Sequence, residues 1–301
     1  MIRTSPAVAE ALAARRAVVA LESTVLAHGL PRPRNLQVGL AMEDAVAAAG
    51  AVPATVGVVA GVPRVGMQRA EVERLAMTDG VLKLSTRDLA LPVARGTDGA
   101  TTVAATMWLA ARAGVQVFAT GGIGGVHRGE ERDVSADLTE LGRTPMLVVC
   151  AGAKSVLDLP ATREALETAG VLVVGFGTDE LPAFYAARSG IPVDARVDDA
   201  AQAAALWRAH RDLGVAGALL LCVPPPAEHA LEAAEVDGAI TAALERARRE
   251  GVRGKEVTPF LLRAVSEATE GRSLEANVAL LLNNARAAAS VAVALAEAER
   301  A

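Results

Sequence analysis

The chain has 301 residues, 52% apolar and 22% charged, with a net charge of −5 and 2% aromatic residues. That length and apolar content support a large buried core, while an acidic balance with few rings excludes the basic, stacking surface that nucleic acid requires. The two cysteines, Cys150 and Cys222, sit inside apolar runs and read as small buried thiols, which suits a reducing, cytoplasmic setting.

The N-terminal stretch MIRTSPAVAEALAARR is amphipathic, is interrupted by Glu10 and lacks the apolar core and cleavage site of a signal peptide. Strand-like runs follow in order: AVVAL from residue 17, ATVGVVA from 54, VLKLS from 81, VQVFATGG from 115, MLVVCAG from 146, VLVVGFG from 171 and ALLLCVP from 218. Segments of helical period such as NLQVGLAMEDAVAAAG and TTVAATMWLAARAG separate them. This alternation predicts an α/β fold, a three-layer αβα arrangement on a mainly parallel sheet. In ATVGVVAGVPRVGM, Gly61 and Pro63 between two apolar runs predict a hairpin, and hence a mixed sheet. The last third reads as three helices, over 228–250, 256–269 and 273–298, with Thr258-Pro259 and Ser273 as starts. No linker or repeat divides the chain, so a single domain over 1–301 is expected. Asn283, Asn284 and Arg286 interrupt the longest apolar region, which argues against a membrane span.

Ligands in open α/β sheets bind outside the carboxyl ends of the strands, so polar residues at those ends are read first. AVVAL ends in Glu22-Ser23-Thr24, VLKLS carries Lys83, VQVFAT ends in Thr120 and the loop GGIGGVHRG with His127 and Arg128, and MLVVCAGA ends in Lys154. The lysines are informative because only three of the 30 basic residues are Lys (Lys83, Lys154 and Lys255), the rest being Arg. A lysine can lose its proton and become a nucleophile, which a guanidinium cannot do. The glycine-rich loop offers backbone N–H groups to an anion, or else forms a tight turn or lid. The helix start Gly99-Ala100-Thr101-Thr102-Val103 offers a second anion site, or a simple Thr cap. In the acidic run from Glu130 to Asp137, alternating carboxylates could hold a hard cation with waters; Asp137 could equally cap the helix LTELGR. Asn277 lies on an otherwise apolar helix and matters only if its face meets the site. A desolvated lysine attacking a sugar aldehyde carbon, with Glu22 as proton donor, describes a phosphosugar lyase or aldolase working through an imine.

The runs ALESTVLAHGLPRPRNL, TTVAATMWLA, VFATGGIGGVHRG, VSADLTELGRTPMLVVCAGAKSVLDLPATRE, GFGTDELPAFY and SLEANVALLLNNARAAA resemble the pseudouridine-5′-phosphate glycosidases, a group also called the indigoidine synthase A-like family. The resemblance spans about residues 10 to 298. It implies reversible cleavage of pseudouridine 5′-phosphate to uracil and ribose 5-phosphate, a divalent cation, typically Mn²⁺, and a homotrimer with neither nucleic acid nor membrane as partner. It also gives the imine a purpose. The link to be broken joins carbon to carbon, for which the two-carboxylate route of ordinary glycosidases is ill suited.

By motif, the resemblance assigns Glu22 as the general acid, Lys154 as the Schiff-base lysine and Asn277 as an active-site amide. Lys83, Thr102 and Val103 match phosphate contacts. Thr120, His127, Ser135, Ala136 and Asp137 fall in the substrate-contacting runs, and Asp133 matches the metal-linked aspartate. Two departures stand out: the GEERD loop is shorter than the family's, leaving Glu130 and Glu131 as alternative metal carboxylates, and Thr86 replaces a residue that is commonly basic. Lys255 has no assigned role. Two other functions use the same residues: an imine-forming aldolase or lyase on another pentose phosphate, and a metabolite-binding protein without chemistry. The second is disfavoured because Glu22 and Lys154 are both present.

Overall fold

The computed structural model describes residues 2–128, 133–252 and 257–300; Glu130, Glu131 and Lys255 lie outside them. A two-residue strand β1 (Arg3–Thr4) leads into α1 (Pro6–Ala13), capped by the Ser5 hydroxyl accepting the Val8 amide hydrogen. Next come β2 (Val18–Leu21), α2 (Arg34–Ala48), β3 (Val52–Val59), β4 (Val62–Val65), α3 (Arg69–Met77), β5 (Leu82–Leu84), α4 (Ala90–Arg95), β6 (Gly99–Thr101), α5 (Val103–Arg112), β7 (Val117–Ala119) and α6 (Ala136–Leu141). The second half runs β8 (Leu147–Cys150), α7 (Leu159–Thr168), β9 (Leu172–Phe176), β10 (Ala195–Val197), α8 (Ala200–Asp212) and β11 (Leu219–Cys222). Three helices follow, α9 (Ala233–Glu250), α10 (Val257–Ala268) and α11 (Arg272–Arg300).

The strands form one sheet in the order β1-β4-β3-β2-β7-β8-β11-β9-β10, with β6 on β3 and β5 on β6. From β3 through β2 to β10 every neighbouring pair is parallel. The central strands VVAL, LVVC and LLLC are buried along their whole length, as strands covered by helices on both faces must be. Cys150 and Cys222 face each other in register on β8 and β11 as free, buried thiols. The expected hairpin is present: β3 and β4 are antiparallel, and β6 adds a second antiparallel neighbour. The mixed α/β architecture with a helical C-terminal part therefore matches the expectation.

Three strands not expected from the sequence, β1, β6 and β10, are too brief to show a two-residue period. One corrects an expectation. Gly99–Thr101 is β6 and does not open a helix. It pairs with β3 and β5, and a Cβ at Gly99 would come within 2.3 Å of Leu84. Helix α11 is long and apolar enough to cross a membrane by length and composition, but half of that window is buried inside the protein, against α2, α8 and the sheet at β7 and β8. Asn284 on this helix is fully buried and donates to the carbonyls of Thr120 and Gly121, fastening the helix to the end of β7.

Strand order reverses direction at β2, which sends the chain to β3 on one side while β7 leads to β8 on the other. A crevice at the carboxyl ends of β2 and β7 is thus built into the topology.

Candidate active site

That crevice holds a cavity of about 380 Å³. Its floor is a continuation of the sheet. Beyond β7 and β8 the two chains stay paired: Ala151 donates to the Gly121 carbonyl, Ile123 to Gly152 and Lys154 to Ile123. Lys154, half-buried, is therefore held by main-chain bonds four residues past its strand, and lines the cavity.

Glu22, at the end of β2, is 6% exposed and lines the same cavity. Its two carboxylate oxygens accept hydroxyl hydrogens from Thr24 and Thr120, one from its own strand end and one from β7 across the crevice. Thr120 does not itself line the cavity. Its hydroxyl is committed to orienting Glu22, so the structure gives it a positioning role where a substrate contact was expected. Ser23 accepts the Thr101 amide hydrogen at 2.8 Å and so ties this segment to β6. The chain then makes a short π-helical turn, Val25–Gly29, which carries Val25 and His28 to the cavity wall.

A cationic end lies at β5 and the start of α5. Lys83 stands opposite Ala100 in register, and Thr102 donates its amide hydrogen to Leu84, so lysine and threonine are neighbours. Thr102 occupies the N-cap position but does not cap: its hydroxyl is buried without a hydrogen-bond partner, at the start of a helix whose first residue, Val103, lines the cavity. A buried unpaired hydroxyl costs free energy unless a ligand satisfies it. With Lys83, Val103 and the helix N-terminus, it suits a phosphate. Arg87 also lines the cavity, one residue beyond Thr86, whose hydroxyl turns away to Glu140.

In the glycine-rich loop four amides are engaged: Ile123 donates to Gly152, Gly124 to the Asp137 carboxylate, Val126 to the Thr162 hydroxyl and His127 to the Asp133 carbonyl. Its glycines provide room, since a Cβ at Gly124 would come within 2.2 Å of Ser135 and one at Gly125 within 2.4 Å of Thr162. Asp137 is also not a cap. Ser135 caps α6, and the buried Asp137 carboxylate accepts the amides of Ala104 on α5 and Gly124 on the loop, bracing the cationic end against the lysine platform.

Ser135, Ala136, Asp137, His127 and Asp133 all line the cavity. His127 Nε2 lies 3.9 Å from the Asp133 carboxylate. Burial lowers the pKa of the His127 imidazole below its ordinary value; Asp133 opposes this, and Lys154 and Lys83 add to it. Among the described residues no group of three or more His, Cys, Asp or Glu could enclose a metal. Asp133, 47% exposed and facing the cavity, fits a hard divalent cation as a single carboxylate with water filling the remaining positions.

Helix α11 closes one side. Asn277 and Leu281, one turn apart, both reach the cavity, as the expectation for Asn277 required. Phe184, Leu157 and Leu262 complete an apolar flank. Eleven of the twelve expected site residues thus line one cavity, the exception being Thr120. Thr24, one of the polar residues at the end of the AVVAL run, lines it as well, and His28, Arg87, Phe184 and Leu281 were not foreseen.

The family described as indigoidine synthase A like protein matches residues 7–294. The chain is 59% identical to a pseudouridine-5′-phosphate glycosidase of Chloroflexus aurantiacus, covering 99% of each chain. It is 62% identical to one of Roseiflexus sp., covering 98% of this chain and 96% of the relative. Among solved structures it is similar to the prealnumycin C-glycosynthase in complex with ribulose 5-phosphate, with a TM-score of 0.92, 43% identity and coverage of 100% of this chain and 98% of the other. An indigoidine synthase A-like protein of Thermotoga maritima gives a TM-score of 0.89 at 36% identity, covering 98% of this chain and 97% of the other.

Proposed function

This chain belongs to the indigoidine synthase A-like family, and from that premise we propose that it catalyses the reversible cleavage of pseudouridine 5′-phosphate to uracil and ribose 5-phosphate. The observation that carries this is one cavity containing both a proton donor and an amine: Glu22, held by two threonine hydroxyls, and Lys154, on a hydrogen-bonded platform. The names of the curated relatives and the sugar phosphate bound to the C-glycosynthase neighbour support the substrate class.

The phosphate binds Lys83, the Thr102 hydroxyl and the Val103 amide at the start of α5, which places the ribose over the strand ends. Glu22 delivers its proton to the ribose ring oxygen, the C1′–O bond breaks and the ring opens. The Lys154 amine adds to C1′, losing a proton. The C1′–C5 bond then breaks, the uracil carbon takes up a proton, and the electron pair on the lysine nitrogen forms the iminium. Water hydrolyses that iminium to release ribose 5-phosphate and restore the amine. Asn277 offers an amide to a polar edge of the base or a sugar hydroxyl. Asp133 holds the divalent cation, for which Mn²⁺ is the proposed ion, and the bound ion supplies charge neutralisation near the phosphosugar. A homotrimer is the proposed assembly, read out by sedimentation.

The test is synthesis. With uracil, ribose 5-phosphate and Mn²⁺, pseudouridine 5′-phosphate should form and be separable by chromatography. Imine formation with ribose 5-phosphate but no product from uracil would replace this function by an aldolase or lyase using another acceptor. Neither product nor imine would refute both.

A further inference from the structure

We propose that Phe184 is the platform on which the nucleobase lies, and so selects a flat, unsaturated leaving group; this rests on the function proposed above. Phe184 is 2% exposed, yet it lines the cavity. Its backbone has φ of +65°, in the left-handed region that a bulky side chain rarely adopts. It sits at the first central position of a tight turn in which Ala183 and Ala186 exchange main-chain hydrogen bonds. Glycine is the residue expected there. An aromatic held in this conformation is a local cost that the surroundings must impose, and such positions concentrate at ligand sites.

The surroundings explain how it is held. The Phe184 amide donates to the Ala151 carbonyl on the loop that carries Lys154. Its ring lies against Gly122, where an added Cβ would stand 2.7 Å from two ring carbons, and Tyr185 packs edge-on behind it at 4.7 Å between centroids. Leu281 presses on the adjacent glycine, Gly121, where an added Cβ would stand 3.1 Å away. Consecutive glycines thus leave room for an aromatic and an aliphatic wall on the lysine platform. The cavity is divided chemically: Lys83, Arg87 and Thr102 at one end suit the phosphate, and the Phe184 and Leu281 wall suits the face of a pyrimidine. Asn277, one helical turn from Leu281, can reach the polar edge of a base lying on that wall.

The experiment measures both substrates of the synthetic direction in Phe184→Leu, which keeps an apolar side chain but loses the flat face, and in Phe184→Tyr, which restores a ring. Gly122→Ala, which forces the ring to shift, serves as an independent variant. For Phe184→Leu and Gly122→Ala, the KM for uracil should rise about tenfold while that for ribose 5-phosphate stays within about twofold. Phe184→Tyr should recover most of the uracil affinity. An unchanged uracil KM in Phe184→Leu, or equal rises for both substrates with a lowered thermal midpoint, would overturn the proposal by reducing Phe184 to a packing residue. Wild-type protein that makes no pseudouridine 5′-phosphate would instead sink the proposed function itself.

Discussion

Replacing Asp137 by asparagine should loosen the joint between the cationic end and the lysine platform. The Asp137 carboxylate accepts the Ala104 amide at 3.0 Å and the Gly124 amide at 2.9 Å, and the residue is 6% exposed. Hydrogen bonds to a charged acceptor contribute roughly 1.5–3 kcal/mol each, against about 0.5–1.5 kcal/mol for neutral pairs. Asparagine keeps one oxygen, so one bond becomes neutral, and its NH₂ group faces the second amide hydrogen, so the other bond is lost. The loss comes to about 3 kcal/mol, with a small further loss from removing a negative charge at the α5 N-terminus. Denaturant unfolding of both proteins at matched concentration reads this directly, and the KM for ribose 5-phosphate should rise with it. A destabilisation below about 1 kcal/mol would refute the brace. Lost turnover at unchanged stability would mean that the carboxylate acts on substrate instead.

Lys154→Arg should lose both turnover and imine formation, although the positive charge is kept, because a guanidinium stays protonated; normal turnover would remove the lysine from the mechanism. Thr120→Val deletes one of the two hydroxyls on Glu22 and should lower kcat by about ten- to a hundredfold, from the roughly 1.5–3 kcal/mol of a charged hydrogen bond, with little change in KM. Thr102→Val should raise the KM for ribose 5-phosphate and leave the KM for uracil unchanged, since only the phosphate end loses a donor. Asp133→Asn should weaken Mn²⁺ binding in calorimetry and make activity insensitive to chelator-and-refill cycles, with the thermal midpoint unaltered because the side chain is half exposed. Retained Mn²⁺ affinity would shift the ligand role elsewhere.

Glu22 and Lys154 were legible because each stands just past the end of an apolar run, where a parallel sheet brings such ends together whatever the strand order, and Lys83 because it is a rare lysine inside one. The Thr120 hydroxyl on Glu22 was not legible, because it depends on β7 lying beside β2, a long-range choice that no local pattern encodes. The GGIGG loop stayed open to two readings for a related reason. Glycine signals either an amide offered to a ligand or space for a neighbour, and the space left for Phe184, Ser135 and Thr162 emerges only from long-range packing. Gly99–Thr101 was mistaken for a helix start because three residues of strand carry no period, and their conformation comes from β3 and β5. Phe184 sits in a loop with no periodicity, and its importance lies in a left-handed backbone that its residue type would have argued against.

Borohydride reduction in the presence of ribose 5-phosphate, followed by peptide mapping, tests the central claim most directly. A reduced adduct of the pentose phosphate should appear on Lys154, with none on Lys83 and none in Lys154→Arg. Undiminished turnover with no adduct, or an adduct confined to another lysine, would contradict it.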